Sequence, residues 1–172
     1  MMHPDSSELS FADNTAAEGK AFLVDADGRG LRQILSTGKF LENGCWASDA
    51  APDGQHLLGF VPEGEGFGIY QISLKDKRLI PLAPGVETYQ TRYSTDGKSV
   101  LFPVTSRNEV TFYRQTVRGD DPIGKPQVAL KLPFSFPIVY GGNAYDFSPD
   151  LSTIVYARPG GQADFYLLTL PQ

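Results

Sequence analysis

Asp146-Phe147-Ser148-Pro149-Asp150-Leu151, followed by Thr153-Ile154-Val155-Tyr156 and then by Asp164-Phe165-Tyr166-Leu167-Leu168, is the stretch from which the fold is read. It holds an acidic turn, an aliphatic run that closes on an aromatic residue, and a second aromatic run. The same order stands upstream as Arg92-Tyr93-Ser94-Thr95-Asp96-Gly97, Ser99-Val100-Leu101-Phe102 and Thr111-Phe112-Tyr113. A third copy is Ala51-Pro52-Asp53-Gly54, Leu57-Leu58-Gly59-Phe60 and Gly68-Ile69-Tyr70. A worn fourth copy opens the chain with Pro4-Asp5-Ser6, Glu8-Leu9-Ser10-Phe11 and Ala21-Phe22-Leu23-Val24.

The spacing inside the copies is nearly constant. The step from turn acid to first aromatic is the same to within one position for Asp5 to Phe11, Asp53 to Phe60, Asp96 to Phe102 and Asp150 to Tyr156. The step from that aromatic to the next is equally steady: Phe11 to Phe22, Phe60 to Tyr70, Phe102 to Tyr113 and Tyr156 to Tyr166. The acids themselves recur at similar intervals along the whole chain, which makes this a repeat architecture.

Each copy has a physical reading. Proline before the acid presets φ for a type I turn, and Gly54 or Gly97 after it takes the left-handed position. The turn acids Asp5, Asp53, Asp96 and Asp150, with Gly54, Gly97 and Pro149, are therefore structural: their carboxylates are expected to hydrogen-bond the turn backbone. The flanking runs are rich in Val, Ile, Phe and Tyr, as strands are. Further strands such as Phe67-Ile69-Gln71-Ser73 and Leu79-Ile80-Pro81-Leu82 complete each unit, and no segment keeps apolar residues at helical spacing. The chain reads as all-β. A four-stranded antiparallel unit recurring every ~45 residues is the mark of a β-propeller blade.

The expected blades are 1–38, 39–86, 87–137 and 138–172, with three, four, four and three strands. The first copy starts at its turn and the last stops after its third strand. A larger propeller, of which this is the C-terminal part, is therefore expected in preference to a closed four-bladed ring. Open edges of that kind invite self-association. Leu151 and Ser6 stand where the turn glycine belongs, so those turns should be strained or of another type. The Gly/Pro-rich stretch Gly119–Gly142 reads as a long connection between the third and fourth blades.

The acidic turn, the aromatic strand behind it and the Ile-Tyr or Phe-Tyr strand after that resemble the TolB-type propeller repeat, a relative of the WD repeat. The resemblance covers nearly the whole chain. It implies kinship with periplasmic TolB, with the propeller caps of prolyl-oligopeptidase-like peptidases and with propellers behind bacterial serine/threonine kinase domains. The segment from Pro126 through Leu168 looks similar to the C-terminal ends of the kinase-linked kind. Such relatives are often extracytoplasmic. The opening Met1-Met2-His3-Pro4-Asp5 shows no basic region followed by an apolar run, so the sequence leaves the compartment open.

Composition narrows the partners. The 172 residues carry 15 Lys and Arg against 20 Asp and Glu, a net charge of -5, with no basic stripe, so no nucleic-acid partner is expected. No apolar run reaches about eighteen residues, so no membrane insertion is expected. The single cysteine, Cys45 beside Trp46, permits no disulfide framework and reads as a small buried apolar residue.

Catalytic and cofactor motifs fail one by one. Gly97-Lys98-Ser99 lacks the leading glycine of a phosphate loop, because position 92 is Arg92, and it leads into a strand. Gly64–Gly68 lacks the last glycine of a dinucleotide fingerprint and reads as a hairpin loop. Asp25-Ala26-Asp27-Gly28-Arg29-Gly30 hints at a calcium loop. Arg29 occupies a ligand position there and Ser36 replaces the bidentate Glu, so a turn between outer strands is the reading. Asp146-Phe147-Ser148 lacks the glycine of the kinase metal-binding triplet. There is no nucleophile elbow. Of two histidines, His3 lies near the terminus and His56, at a strand start, reads as a solvated blade-surface residue. Asp120-Asp121 reads as a solvated loop. No catalytic residue, metal or cofactor is therefore expected.

The function expected is a non-catalytic interaction, scaffold or sensor module for a protein or peptide, part of a larger bacterial protein. The alternative is the gating propeller of a prolyl-oligopeptidase-like serine peptidase.

Overall fold

A computed structural model describes residues 8–13, 20–25, 27–35, 46–63, 66–86, 88, 90–134, 138–139, 142–143, 145–158 and 164–169. Asp5, Ser6, His3 and Cys45 lie outside the described residues. Those described form strands and turns only, and among them no helix is long and apolar enough to cross a membrane.

The strands fall into successive antiparallel sheets. The first holds β1 (Glu8–Asp13), β2 (Lys20–Asp25) and β3 (Arg32–Leu35) in that order. The second holds β4 (Trp46–Ala50), β5 (His56–Glu63), β6 (Gly66–Ser73) and β7 (Leu79–Ala83), again in chain order. The third holds β8 (Arg92–Tyr93), β9 (Ser99–Thr105), β10 (Val110–Arg118) and β11 (Asp121–Leu132). A short hairpin, β12 (Ile138–Val139) with β13 (Gly142–Asn143), precedes the last sheet of β14 (Tyr145–Phe147), β15 (Thr153–Arg158) and β16 (Asp164–Thr169). Meandering sheets stacked in sequence are the blades of an all-β propeller.

Because each middle sheet is covered on both sides, its central strands bury both faces, and they read as continuous apolar runs instead of alternating ones. Leu58 and Phe60 face the third sheet and pack with Tyr93, Val100, Phe102 and Val117. Leu57 points the other way, with Ala50 and Ile72. On β9, Leu101 turns from that first core into a second one, with Val110, Phe112, Phe147, Leu151 and Ile154. Phe112 meets Phe147 edge-on at 5.2 Å and 77°, which locks the third sheet to the fourth.

The stretch Gly119–Gly142 departs from the expected long connection. Half of it is β11, a long outer strand. Its prolines and glycine are tolerated because an edge strand needs partners on one side only. Near Gly124, at φ 68°, the register with β10 slips between Arg114 and Thr116. The fully buried Gln115 fills that bulge: its Nε2 donates to the carbonyls of Thr116 at 2.9 Å and Ile123 at 3.1 Å.

Candidate functional site

The three described repeat turns are built alike. Gly54 N–H donates to the Ala51 carbonyl at 3.0 Å, Gly97 to Ser94 at 2.8 Å and Leu151 to Ser148 at 2.9 Å. The acid at the third turn position then accepts from the backbone two positions on: Asp53 from Gln55 at 2.8 Å, Asp96 from Lys98 at 3.0 Å, Asp150 from Ser152 at 2.9 Å. The fourth position is left-handed in each, at φ 66° for Gly54, 69° for Gly97 and 60° for Leu151. Leu151 offsets that backbone with a side chain buried to 6% exposure in the second core. Hydroxyls of Ser94 and Ser148 donate to Asp96 and Asp150 at 2.7 and 2.6 Å. These bonds hold the Asp150 carboxyl down at about 2 and lower that of Asp96.

Counting back four positions from each turn acid gives Asp49, Arg92 and Asp146, one on the first strand of each of three successive sheets. Asp49 Oδ2 accepts the Tyr93 N–H at 2.7 Å. Arg92 Nη2 donates to both carboxylate oxygens of Asp146, at 2.8 and 3.0 Å, and its guanidinium lies 5.9 Å from the centre of the Phe147 ring. Burial raises the Asp49 carboxyl, against the lowering effects of the Tyr93 N–H and of Arg92. One position earlier in the chain at each of these places, the Ser48 and Thr91 hydroxyls bond each other, and Tyr145 bonds Thr88. One position later, Tyr93 and Phe147 turn back onto the preceding sheet. The inner strands thus carry a charged row, negative, positive, negative, with Arg92 35% and Asp146 55% exposed.

Neither His56 nor Asp120 is solvated as expected. His56 is 8% exposed, with Nδ1 3.1 Å from Asp53 Oδ2 and Nε2 2.7 Å from Asp120 Oδ1. Asp120 is also held by Arg78, whose Nε donates to Asp76 at 2.8 Å. The physical reason is the stacking of sheets, which brings the turn after β10 against the start of β5. Asp25, Asp27 and Gly28 form a turn between β2 and β3, with Gly28 N–H on the Asp25 carbonyl at 2.8 Å and Arg29 N–H on Asp27 at 2.9 Å. Among the described residues no group of three or more His, Cys, Asp and Glu side chains is arranged to hold a metal ion.

Sequence reasoning missed the charged row, although its signal was present. Asp49, Arg92 and Asp146 share the period of the turn acids that follow them.

No protein-family profile matches the sequence, and no curated protein matches it. Solved structures do. TolB from Acinetobacter baumannii superposes with a TM-score of 0.61 at 18% identity, over 96% of this chain and 38% of that one. A TolB-like protein from Agrobacterium tumefaciens gives 0.63 at 16%, over 98% and 60%. The propeller domain of the Trilobed protease from Pyrococcus furiosus, described as having an open velcro topology, gives 0.52 at 13%, over 96% and 51%. The chain therefore spans less than two thirds of each of these structures. Identities this low speak to fold alone, and the fold is that of a TolB-type β-propeller.

Proposed function

We propose that this chain is a non-catalytic interaction module, a run of TolB-type blades within a larger bacterial polypeptide, which presents its inner-strand face to a protein or peptide. The observation that carries this reading is the row Asp49, Arg92, Asp146. It sets charged side chains at one repeat position on three sheets, with Asp146 exposed and Arg92 partly so. Rigid strands displaying partly exposed charge suit recognition, because specificity follows from where charges sit. The buried His56 supports the same reading, since it is 8% exposed and both of its ring nitrogens already face carboxylates of the chain itself.

The test is affinity capture from cells that make the parent polypeptide, comparing the native sequence with Arg92→Ala/Asp146→Ala. Partner recovery should fall about tenfold, the scale of one lost charge-assisted contact of about 1.4 kcal/mol. Equal recovery by a folded double variant would remove the row from the interaction.

A second reading is favoured by the likeness to the Trilobed protease propeller: the blades gate a serine peptidase domain elsewhere in the parent chain. An active-site serine probe that labels the parent polypeptide would select it.

A further inference from the structure

The sheets repeat one pair of side chains on the face turned to the sheet ahead. Asp49 stands in register with Leu58, Arg92 with Leu101 and Asp146 with Val155. Residues directly opposite in an antiparallel pair share a face. Leu58, Leu101 and Val155 each stand five positions after the turn acid of their repeat. Ile154 packs into the second core against the third sheet, so Val155, next to it on β15, faces away from that sheet.

At two joints the pair is covered in the same way. Tyr93 of the third sheet joins Leu58 in the first core and gives its N–H to Asp49 at 2.7 Å. Phe147 of the fourth sheet joins Leu101 in the second core, while Arg92 donates to Asp146. Leu58 and Leu101 are both 0% exposed. At the same repeat positions on the fourth sheet, Val155 is 36% and Asp146 55% exposed. A repeat unit cannot bury its apolar face alone and relies on a stacked neighbour to do so.

We propose that the face of the fourth sheet holding Asp146 and Val155 docks a further blade of the parent polypeptide, one whose first strand carries a basic residue followed by an aromatic one. The proposal rests on the reading of this chain as part of a larger polypeptide. Its chemistry is set by the joint between the second and third sheets. There the face also holds an acid and an aliphatic side chain, and Arg92 and Tyr93 meet it. On the fourth sheet the ring seals Val155, its N–H serves Asp146, and the base continues the alternation of charge along the row. Arg92 keeps 35% exposure while bonded to the sheet ahead, so a docked Asp146 still shows an edge on the inner-strand face.

Thiol labelling of the parent polypeptide tests this, with Cys45→Ser removing the cysteine of this region. Val155→Cys should react at least about tenfold more slowly than Val128→Cys, whose position on the outer strand is 53% exposed. Equal rates would overturn the docking. A photoreactive side chain in place of Val155 should cross-link to a segment of the same polypeptide that carries the basic and aromatic pair. A cross-link to another polypeptide, or to a segment without that pair, would overturn the stated partner. Should the cysteine variants not fold, hydroxyl-radical footprinting of the native polypeptide compares Val155 with Val128, and equal oxidation overturns the docking as well. None of these readings depends on partner recovery by Arg92→Ala/Asp146→Ala, so the docking face and the interaction module fail separately.

Discussion

The Tyr93 backbone N–H donates to Asp49 Oδ2 at 2.7 Å, and the Tyr93 hydroxyl donates to Gln71 Oε1 at 2.9 Å, so one residue is bound twice to the sheet before it. Both acceptors belong to the second sheet, on β4 and β6. Gln71 is 1% exposed and commits its Nε2 to Gly119, while its oxygen accepts from Tyr93. Tyr93→Phe should therefore cost about 1–3 kcal/mol, the scale of leaving a buried acceptor unsatisfied. Urea unfolding measures it, and a loss near zero would mean that Gln71 finds another donor.

Asp49 offers a test in which charge and hydrogen bonding separate. Burial raises its carboxyl, so the ionised form is penalised in the fold, and that penalty grows as pH rises from the ordinary 3.8 through the raised folded value. Asp49→Asn keeps an oxygen for the Tyr93 N–H and removes the buried charge. It should be at least as stable as the native chain at neutral pH. Asp49→Ala should lose about 1–3 kcal/mol, because the N–H is left without its acceptor. Thermal melts of the two variants rank them directly.

The repeat turns make the fold acid-sensitive. The Asp150 carboxyl sits at about 2, held there chiefly by the Ser148 hydroxyl and then by the Ser152 N–H, and Asp96 is lowered by the corresponding pair of partners, Ser94 and Lys98. Folded values below the ordinary 3.8 contribute stability above that pH, and the contribution fades as pH falls toward about 2. Asp150→Asn should flatten this acid limb in unfolding curves taken between about pH 5 and about pH 2.

Leu151 sets backbone strain against burial. A non-glycine residue at φ 60° costs about 1–2 kcal/mol, and losing a buried leucine side chain costs about 2–5 kcal/mol. Both Leu151→Gly and Leu151→Ala should destabilise, and alanine more, because it loses the packing and keeps the strain. At Gly97 the added methyl of an alanine would also meet Pro52 Cδ at 3.2 Å, so Gly97→Ala should destabilise too. Chemical denaturation of the three variants tests the ranking.

The outer strand β11 carries its own protection against edge pairing: Pro122 and Pro126 remove donors, Lys125 adds a charge and the bulge at Gly124 breaks the line. Beside these lies an exposed apolar residue, Val128, at 53%. Replacing Lys125 and Pro126 together by valine should turn the strand into an adhesive edge. Sedimentation at rising concentration should then show more association than the native chain shows at the same concentrations.

What the sequence revealed tracks how far apart the interacting groups are. The turn around Asp96 closes between Ser94 and Ser99, so its chemistry is written locally. Leu57 and Leu58 were legible as strand, while their burial on opposite faces needed sheets on both sides. His56 was misjudged because its partner Asp120 is distant in the chain and arrives only through sheet stacking. β11 was hidden by Pro122, Gly124 and Pro126, which mimic a loop wherever one edge of the strand has no partner to satisfy. Asp49, Arg92 and Asp146 carried a periodic signal that the stronger turn pattern overshadowed.

The inner strands have a direction. Asp49 and Arg92 reach toward the sheet ahead, while Tyr93 and Phe147 lean on the sheet behind. At each such joint an acceptor or donor at the front is matched by an aromatic ring at the back, so the same pairing recurs from blade to blade. Duplication of a whole repeat would preserve every joint it inserts, whereas a cut inside a repeat would orphan a charge on one side and a ring on the other. Growth or shortening of such a chain is thus confined to whole-blade steps by the grammar of its joints.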